Sequence, residues 1–310
     1  MSTIFDFSTF KYKEVIQDIN KWKVLKGKEA KQIVHEIAFV VKDRLTLNEV
    51  CNYGYTINEK VYIPSFIEDN SGLLFHFIPG GKFTFGLSER EETLLKMSGI
   101  DFDLSLMKPA KDIWVKPFFI TRFPITANFV NEHITTDPDL FRPVFGNEEE
   151  DSVCPMYLTL EEIYQLFGKF GFKIPGEVQL EYALRGGGNT LFYLGDELPQ
   201  ERAVIGNSLC CNEFSDGEIN NRYANLFGLV GVSIGEWCCD KWYPSHENIC
   251  DDSPYTDSST SEYVIKGGAA AFWPWQNPEE WILAISAIRS SSEGLEDTTC
   301  GVRALLDISI

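Results

Sequence analysis

Apolar positions in the first part of the chain fall at helical spacing. Tyr12, Val15, Ile16, Ile19, Trp22 and Leu25 recur every three or four residues and predict one helix, which Gly27 breaks. Ile33, Val34, Ile37, Val40 and Val41 predict a second helix ending near Arg44. The pattern then changes, and residues 61–66 read as a strand. Residues 73–86 read as a hairpin, because two apolar runs flank the turn signal Pro79-Gly80-Gly81. Ser88 starts a capped helix through residue 96. Thr126 caps the helix that carries Phe129 and Val130. A further helix runs to Phe170, with Leu158-Thr159-Leu160-Glu161-Glu162 as its capped, acidic first turn. The acidic residues 147–151 before it read as a solvated loop, since nothing makes their carboxylates converge.

Residues 173–188 (Lys-Ile-Pro-Gly-Glu-Val-Gln-Leu-Glu-Tyr-Ala-Leu-Arg-Gly-Gly-Gly) are a short helix closed at both ends. Pro175 presets φ for the start, and Glu177 places a negative charge against the helix dipole. Val178, Tyr182 and Leu184 give the apolar stripe. Gly186, Gly187 and Gly188 stop the helix, because glycine tolerates the left-handed cap.

This stretch, continued by Leu-Phe-Tyr-Leu-Gly-Asp-Glu, resembles a signature of the formylglycine-generating enzyme, or sulfatase-modifying factor, family. Glu181, Tyr182, Ala183, Arg185, Gly186, Gly187, Gly195 and Asp196 match it. Gly176 replaces the usual threonine cap and Leu180 the tryptophan. Other pieces resemble the family in order: residues 73–86 its opening strand pair, residues 115–128 its next strand and turn, and residues 155–170 a helix. Within residues 227–244, Glu236, Trp237, Cys238, Asp240 and Trp242 are retained. Residues 264–270, 286–289 and 300–303 resemble the closing motifs. The resemblance implies an α+β, C-type-lectin-like formylglycine-generating-enzyme fold with much irregular structure. It also implies two parts: residues 1–72 as a small N-terminal extension, mostly helical, and residues 73–310 as the family-like domain.

Composition narrows the partners. The chain has 310 residues, 44% of them apolar, and a net charge of −19. Such a surface repels nucleic-acid phosphates and anionic lipid, so neither is expected as a partner. No run of about 18 apolar residues predicts a membrane span. The N-terminus lacks a basic start followed by an apolar core, so a cytoplasmic location is expected. The eight cysteines include the adjacent pairs Cys210-Cys211 and Cys238-Cys239, show no CxxC spacing, and read as mostly reduced and buried. His35 would need partners to hold a metal, and there is no HxxxH or HExxH; it reads as a packed or surface histidine. His246 reads as part of a polar loop.

Oxidising members of the family use two cysteines that bind copper(I), a soft ion suited to thiolates. Residues 269–281 occupy that place here and contain no cysteine; Phe272 stands nearest the first position. The iron-dependent branch uses a histidine set that the N-terminal extension lacks. A nucleophile elbow is also absent. The expectation is therefore a non-catalytic relative acting as a protein-recognition or scaffold module. The alternatives are a metal- or thiol-dependent oxidoreductase with a divergent site, or a small-molecule or sugar receptor. Phe272, Trp273, Trp275 and Trp281 suit either a binding surface or core packing. Arg289 matches a family arginine and is a candidate binding residue, although an ion pair of Arg289 and Arg303 with Glu236 or Glu181 accounts for both. No cofactor is expected beyond one calcium site from Asn207, Asn212 and Asp216. The Gly-Asn pair that helps hold calcium in the family has no counterpart.

Overall fold

The computed structural model describes residues 5–54, 61–97, 99, 103–134, 158–193, 195–196, 224–230, 235–256, 259–267, 285–294 and 300–310. The N-terminal apolar stripe is buried as its spacing predicts, but on two short helices rather than one. These are α1 (Lys13–Ile16) and α2 (Ile19–Lys23). The break is at Asp18, whose extended backbone lets its carboxylate accept the Asn20 N–H at 2.9 Å and start a new helix. Gly27, with φ of +55°, opens α3 (Gly27–Val41).

Twelve strands are described. In chain order they are β1 (Phe5–Asp6), β2 (Leu45–Tyr53), β3 (Val61–Glu68), β4 (Leu74–Ile78), β5 (Gly81–Phe85), β6 (Lys111–Val115), β7 (Phe118–Thr121), β8 (Gly235–Lys241), β9 (Tyr263–Lys266), β10 (Arg289–Ser292), β11 (Cys300–Gly301) and β12 (Leu305–Ser309). The expected hairpin of residues 73–86 does not form. Its two runs become β4 and β5, which belong to different sheets: β4 pairs with β3 and β7, and β5 pairs with β6. Packing decides this. The Gly80 N–H donates to Ile16 O at 2.7 Å. A Cβ on Gly80 would lie 2.6 Å from Val115 O, so the turn is pressed between α1 and the end of β6 and crosses from one sheet to the other.

The large sheet has the order β1-β12-β7-β4-β3-β2; β1 and β12 are parallel and the other pairs antiparallel. Residues before 73 thus supply three of its six strands. They also join one continuous apolar core that runs from Phe5 to Ile308. A second sheet has the order β10-β9-β8-β11.

The remaining helices are α4 (Glu89–Met97), α5 (Ala127–His133), α6 (Leu160–Phe170) and α7 (Glu177–Leu184). Thr126 caps α5. Thr159 and Glu162 form a reciprocal capping box on α6, and Gly171 ends that helix at φ of +66°. Helix α7 is buried on nearly every side, with Gln179 alone half-buried, and packs against β5, β6, β8 and β9. Among the described residues no helix is long and apolar enough to cross a membrane.

Trp22 joins α2 to the large sheet. It is 1% exposed, its indole N–H donates to Tyr62 O at 2.8 Å, and its ring lies 5.4 Å from that of Phe77. Trp22→Ala is expected to cost about 3–5 kcal/mol. Thermal unfolding followed by fluorescence and by circular dichroism should shift as one transition. A second, unshifted transition would show that residues 1–72 unfold apart from the rest.

Candidate functional site

The site is built outward from α7. Its residues Glu177 and Glu181 lie one turn apart on the same face and are both fully buried. The helix starts without a capping side chain, because Gly176 stands at the cap. Asp240 of β8 supplies the missing acceptor: Oδ2 takes the Glu177 N–H at 2.6 Å and Oδ1 takes the Tyr255 N–H at 2.8 Å.

Two carboxylates on one buried face must be matched by cations. Glu181 Oε2 accepts from Lys266 Nζ of β9 at 2.7 Å. Its Oε1 accepts from Arg185 Nε at 2.9 Å and from the Gly86 N–H at 2.8 Å. Arg185 continues to Glu91 Oε1 of α4 at 2.6 Å and to the carbonyls of Thr190 and Gly86. Glu177 Oε1 lies 2.9 Å from Arg289 Nε and 3.6 Å from Lys266 Nζ. Glu177 Oε2 accepts from Tyr243 Oη at 2.5 Å and from Arg289 Nη2 at 3.0 Å. Arg289 is 3% exposed, donates to the Tyr243 and Leu106 carbonyls, and stacks against the rings of Trp242 and Tyr243 at 4.4 and 4.2 Å. Glu91, Glu177 and Glu181 thus face Arg185, Lys266 and Arg289, three formal charges of each sign.

The balance sets the protonation states. Burial pushes the Glu181 carboxyl up, but Lys266 and Arg185 outweigh it and hold the group at about 2. Glu177 is lowered in the same way, burial being outweighed by Arg289 and Lys266. Among the described residues Asp240 makes no ion pair, and the charge of Arg289 acts on it only weakly. Burial first, then the charge of Glu177, push it up to about 7, against the two N–H bonds it accepts. His246 does not sit in a polar loop as expected. It is fully buried, stacks on Phe85 with ring centres 4.3 Å apart, and puts Nε2 4.0 Å from Glu177 Oε1. Burial depresses it to about 4 despite that carboxylate, so it is neutral at pH 7.

A second pair closes the other side of the core. Arg303 Nε meets Glu236 Oε2 at 2.9 Å, and its guanidinium also donates to the carbonyls of Thr121, Arg122 and Val230. Arg303 therefore makes the expected pair with Glu236, whereas Arg289 pairs with Glu177. As a candidate binding residue Arg289 has its guanidinium enclosed by protein groups on all the contacts above. Cys238 and Cys300 are buried thiols, Cys51 and Cys239 are half-buried and Cys250 is exposed, so burial is not uniform among the described cysteines. Phe272, Trp273, Trp275 and Trp281 lie outside the described residues, as do Asn207, Asn212 and Asp216. Among the described residues no group of three or more His, Cys, Asp or Glu side chains is arranged to hold a metal ion.

Sequence reasoning missed Lys266, Glu91, Tyr243 and His246 as members of this network. The signal for the first was present: Lys266 ends an apolar strand run, Val264-Ile265-Lys266, before two glycines, where a charge is out of place unless paired. Its position matters for the site. Lys266 and Gly267 flank residues 268–284 on one side and Ile285 flanks them on the other. The Lys266 ammonium bonds Ala287 O at 3.1 Å, which ties the two flanks together.

The network fixes how stability depends on pH. His246 and His76 are depressed to about 4 and about 3, largely by burial, so the unfolded chain binds more protons than the folded one below about pH 6.5. Stability is lost as pH falls through that range. Asp240 acts oppositely: raised to about 7, it adds stability as pH falls from 7 towards 4. Two histidines outweigh one aspartate, so stability should fall from pH 6 to pH 4. Denaturant titrations of Asp240→Asn should show a steeper fall, since the opposing contribution is gone. An unchanged or shallower slope would contradict this assignment.

A family model described as the sulfatase-modifying factor enzyme 1-like domain matches residues 69–308. The chain is 24% identical over 288 residues to the uncharacterized protein YfmG of Bacillus subtilis (strain 168), an alignment covering 76% of this chain and 56% of that protein. The chain thus spans just over half the length of that relative. Among solved structures, Treponema denticola variable protein 1 matches with a TM-score of 0.51 at 14% identity, covering 84% of this chain and 99% of that one. Likeness at that identity establishes a shared fold. With most of its length matched, its mixed helix and sheet architecture, and the paired arginines and glutamates at the family motifs, the chain belongs to the sulfatase-modifying factor family, with the C-type-lectin-like fold of the formylglycine-generating enzymes.

Proposed function

We propose that this protein is a non-catalytic member of its family and acts as a protein-recognition or scaffold module. The observation that carries the reading is the absence of cysteine from residues 269–281, where the family's oxidising members place their copper-binding pair. Phenylalanine at 272 can neither bind copper nor form a mixed disulfide. Two of the described thiols are poor substitutes. Cys238 and Cys239 are both pushed well up by burial, which removes the thiolate needed for attack. The buried charges support the same reading. Glu177, Glu181, Lys266 and Arg289 are enclosed and spent on one another, and an enclosed, balanced network has no side chain left to meet a substrate.

Recognition is assigned to residues 271–281. They carry Phe272, Trp273, Trp275 and Trp281, and Pro274 and Pro278 disfavour helix and strand there. The flanks of the segment are tied by the Lys266 bond to Ala287 O, and a rigid base suits recognition. The partner in this reading is another protein, met in the cytoplasm.

The test uses the full chain. Trp273→Ala with Trp275→Ala should leave the melting temperature unchanged and weaken binding to a protein captured from the native host, on the order of 2 kcal/mol for an aromatic anchor. A loss of about 3–5 kcal/mol of stability would instead place these rings in the core. Full binding by the double variant would remove this segment as the site.

A further inference from the structure

Asp240 is 1% exposed, and residues 251–256 close over it from outside. This segment contains no helix or strand. Asp251, Ser253, Pro254 and Thr256 are exposed, Tyr255 is half-buried and Asp252 is buried. Few bonds hold it down. Asp240 Oδ1 takes the Tyr255 N–H at 2.8 Å, and the Lys241 N–H donates to Tyr255 O at 2.8 Å. Asp252 Oδ2 takes the Lys116 N–H at 2.8 Å, and Lys116 Nζ lies 3.3 Å from Asp252 Oδ1. The Tyr255 ring sits 4.7 Å from that of Tyr243. A Cβ on Gly176 would lie 3.4 Å from Asp240 Oδ2 and 3.5 Å from Pro254 Cγ, so exposed Pro254 is the wall beside the buried carboxylate. Behind that wall is a cavity of about 510 Å³, bounded also by Gln179, Cys239, Asp252 and Ser253. A thin segment without ladder bonds opens locally at less cost than the core beneath it.

The carboxylate it covers is poorly matched in charge. The groups around it are Glu177 of α7, Arg289 of β10, Lys266 of β9, and Cys238, Cys239 and Tyr243 in and just after β8. His246 lies beyond Tyr243, and Lys116 and Asp252 stand at the far end of the segment. Arg289 and Lys266 are engaged by Glu177 and Glu181. A buried carboxylate near another carries its charge at a cost, which water relieves. Burial and the Glu177 charge push Asp240 up to about 7. Once the segment lifts, water returns it to the ordinary range of about 4. Between pH 5 and pH 7 the other shifted groups hold their states. Glu177 is lowered and stays ionised, His246 at about 4 stays neutral, and the raised Cys238, Cys239 and Tyr243 stay neutral.

We propose that residues 251–256 are a pH-sensitive strap, closed over a protonated Asp240 in mild acid and opening increasingly often towards neutral pH, where the ionised carboxylate draws in water. The closed form holds the proton between about pH 4 and about pH 7 and the open form does not. The opening constant therefore rises with pH through that window and levels off above it. Lifting the strap removes Ser253 and Pro254 from the cavity wall, so the proton on Asp240 sets how far that cavity opens.

Amide hydrogen exchange of the full chain, read by mass spectrometry and corrected for the intrinsic rate at each pH, tests this. Peptides covering residues 251–256 should show an opening constant that rises at least about tenfold from pH 5 to pH 7. Peptides covering β4 should show no such rise, because the buried histidines loosen the whole fold towards acid. Asp240→Asn keeps the side-chain size and an acceptor oxygen but cannot ionise. It should make opening of the strap independent of pH, with an unaltered circular-dichroism spectrum showing that it folds. Strap exchange in the wild type that is flat, or that rises towards acid, overturns the proposal, and this comparison needs no variant. An equal rise in β4 overturns it in favour of unfolding of the whole chain. A wild-type slope kept by folded Asp240→Asn overturns it by removing Asp240 as the trigger.

Discussion

Lys266 enters the protein interior from β9 with its ammonium between Glu181 and Glu177, at 2.7 and 3.6 Å, and with every atom of the group out of reach of water. A buried charge costs several kcal/mol unless its partners are in place, so this one lysine constrains many elements at once. Helix α7 must present both glutamates. Gly86 must bring its N–H to Glu181 and its carbonyl to Arg185. A side chain at Gly86 is impossible, since φ is +82° and a Cβ would meet His246 Nδ1 and Met107 O at 2.7 Å. Arg289 must reach Glu177 from β10, which fixes β10 beside β9. The irregular parts of the fold are therefore registered by charge as much as by apolar packing.

The same arrangement divides scaffold from surface. Glu91, Glu177 and Glu181 are turned inward and balanced by Arg185, Lys266 and Arg289. Between the tied flanks the sequence carries Phe272, Trp273, Trp275 and Trp281. Loops and outer helix faces on a rigid core can change without disturbing it, which is how one fold comes to serve different partners.

The fold was legible where a motif and a local pattern agreed. The capped, acidic first turn of α6, the Thr126 cap, the buried face of α3 and the order of the family motifs could all be read from residue types and spacing. What could not be read depended on distant contacts. The run at residues 73–86 has the composition of a hairpin, but its partners are strands far away in the chain, and Gly80 is held by Ile16. β2 went unread because a bulge between Leu47 and Glu49 breaks its alternation. In the site, the two glutamates of α7 were visible, yet their partners lie from 4 to 112 positions away. His246 looked polar from its neighbours Ser245 and Glu247, and only the fold places Phe85 against its ring.

A double-mutant cycle on Glu181→Gln and Lys266→Met, read by denaturant unfolding, tests most directly whether this buried pair organises the molecule. Each single change should cost about 3–5 kcal/mol, because it strands a buried charge, while the double variant should cost clearly less than the sum. Single variants with near wild-type stability, or strictly additive losses, would show that the pair does not hold the fold together.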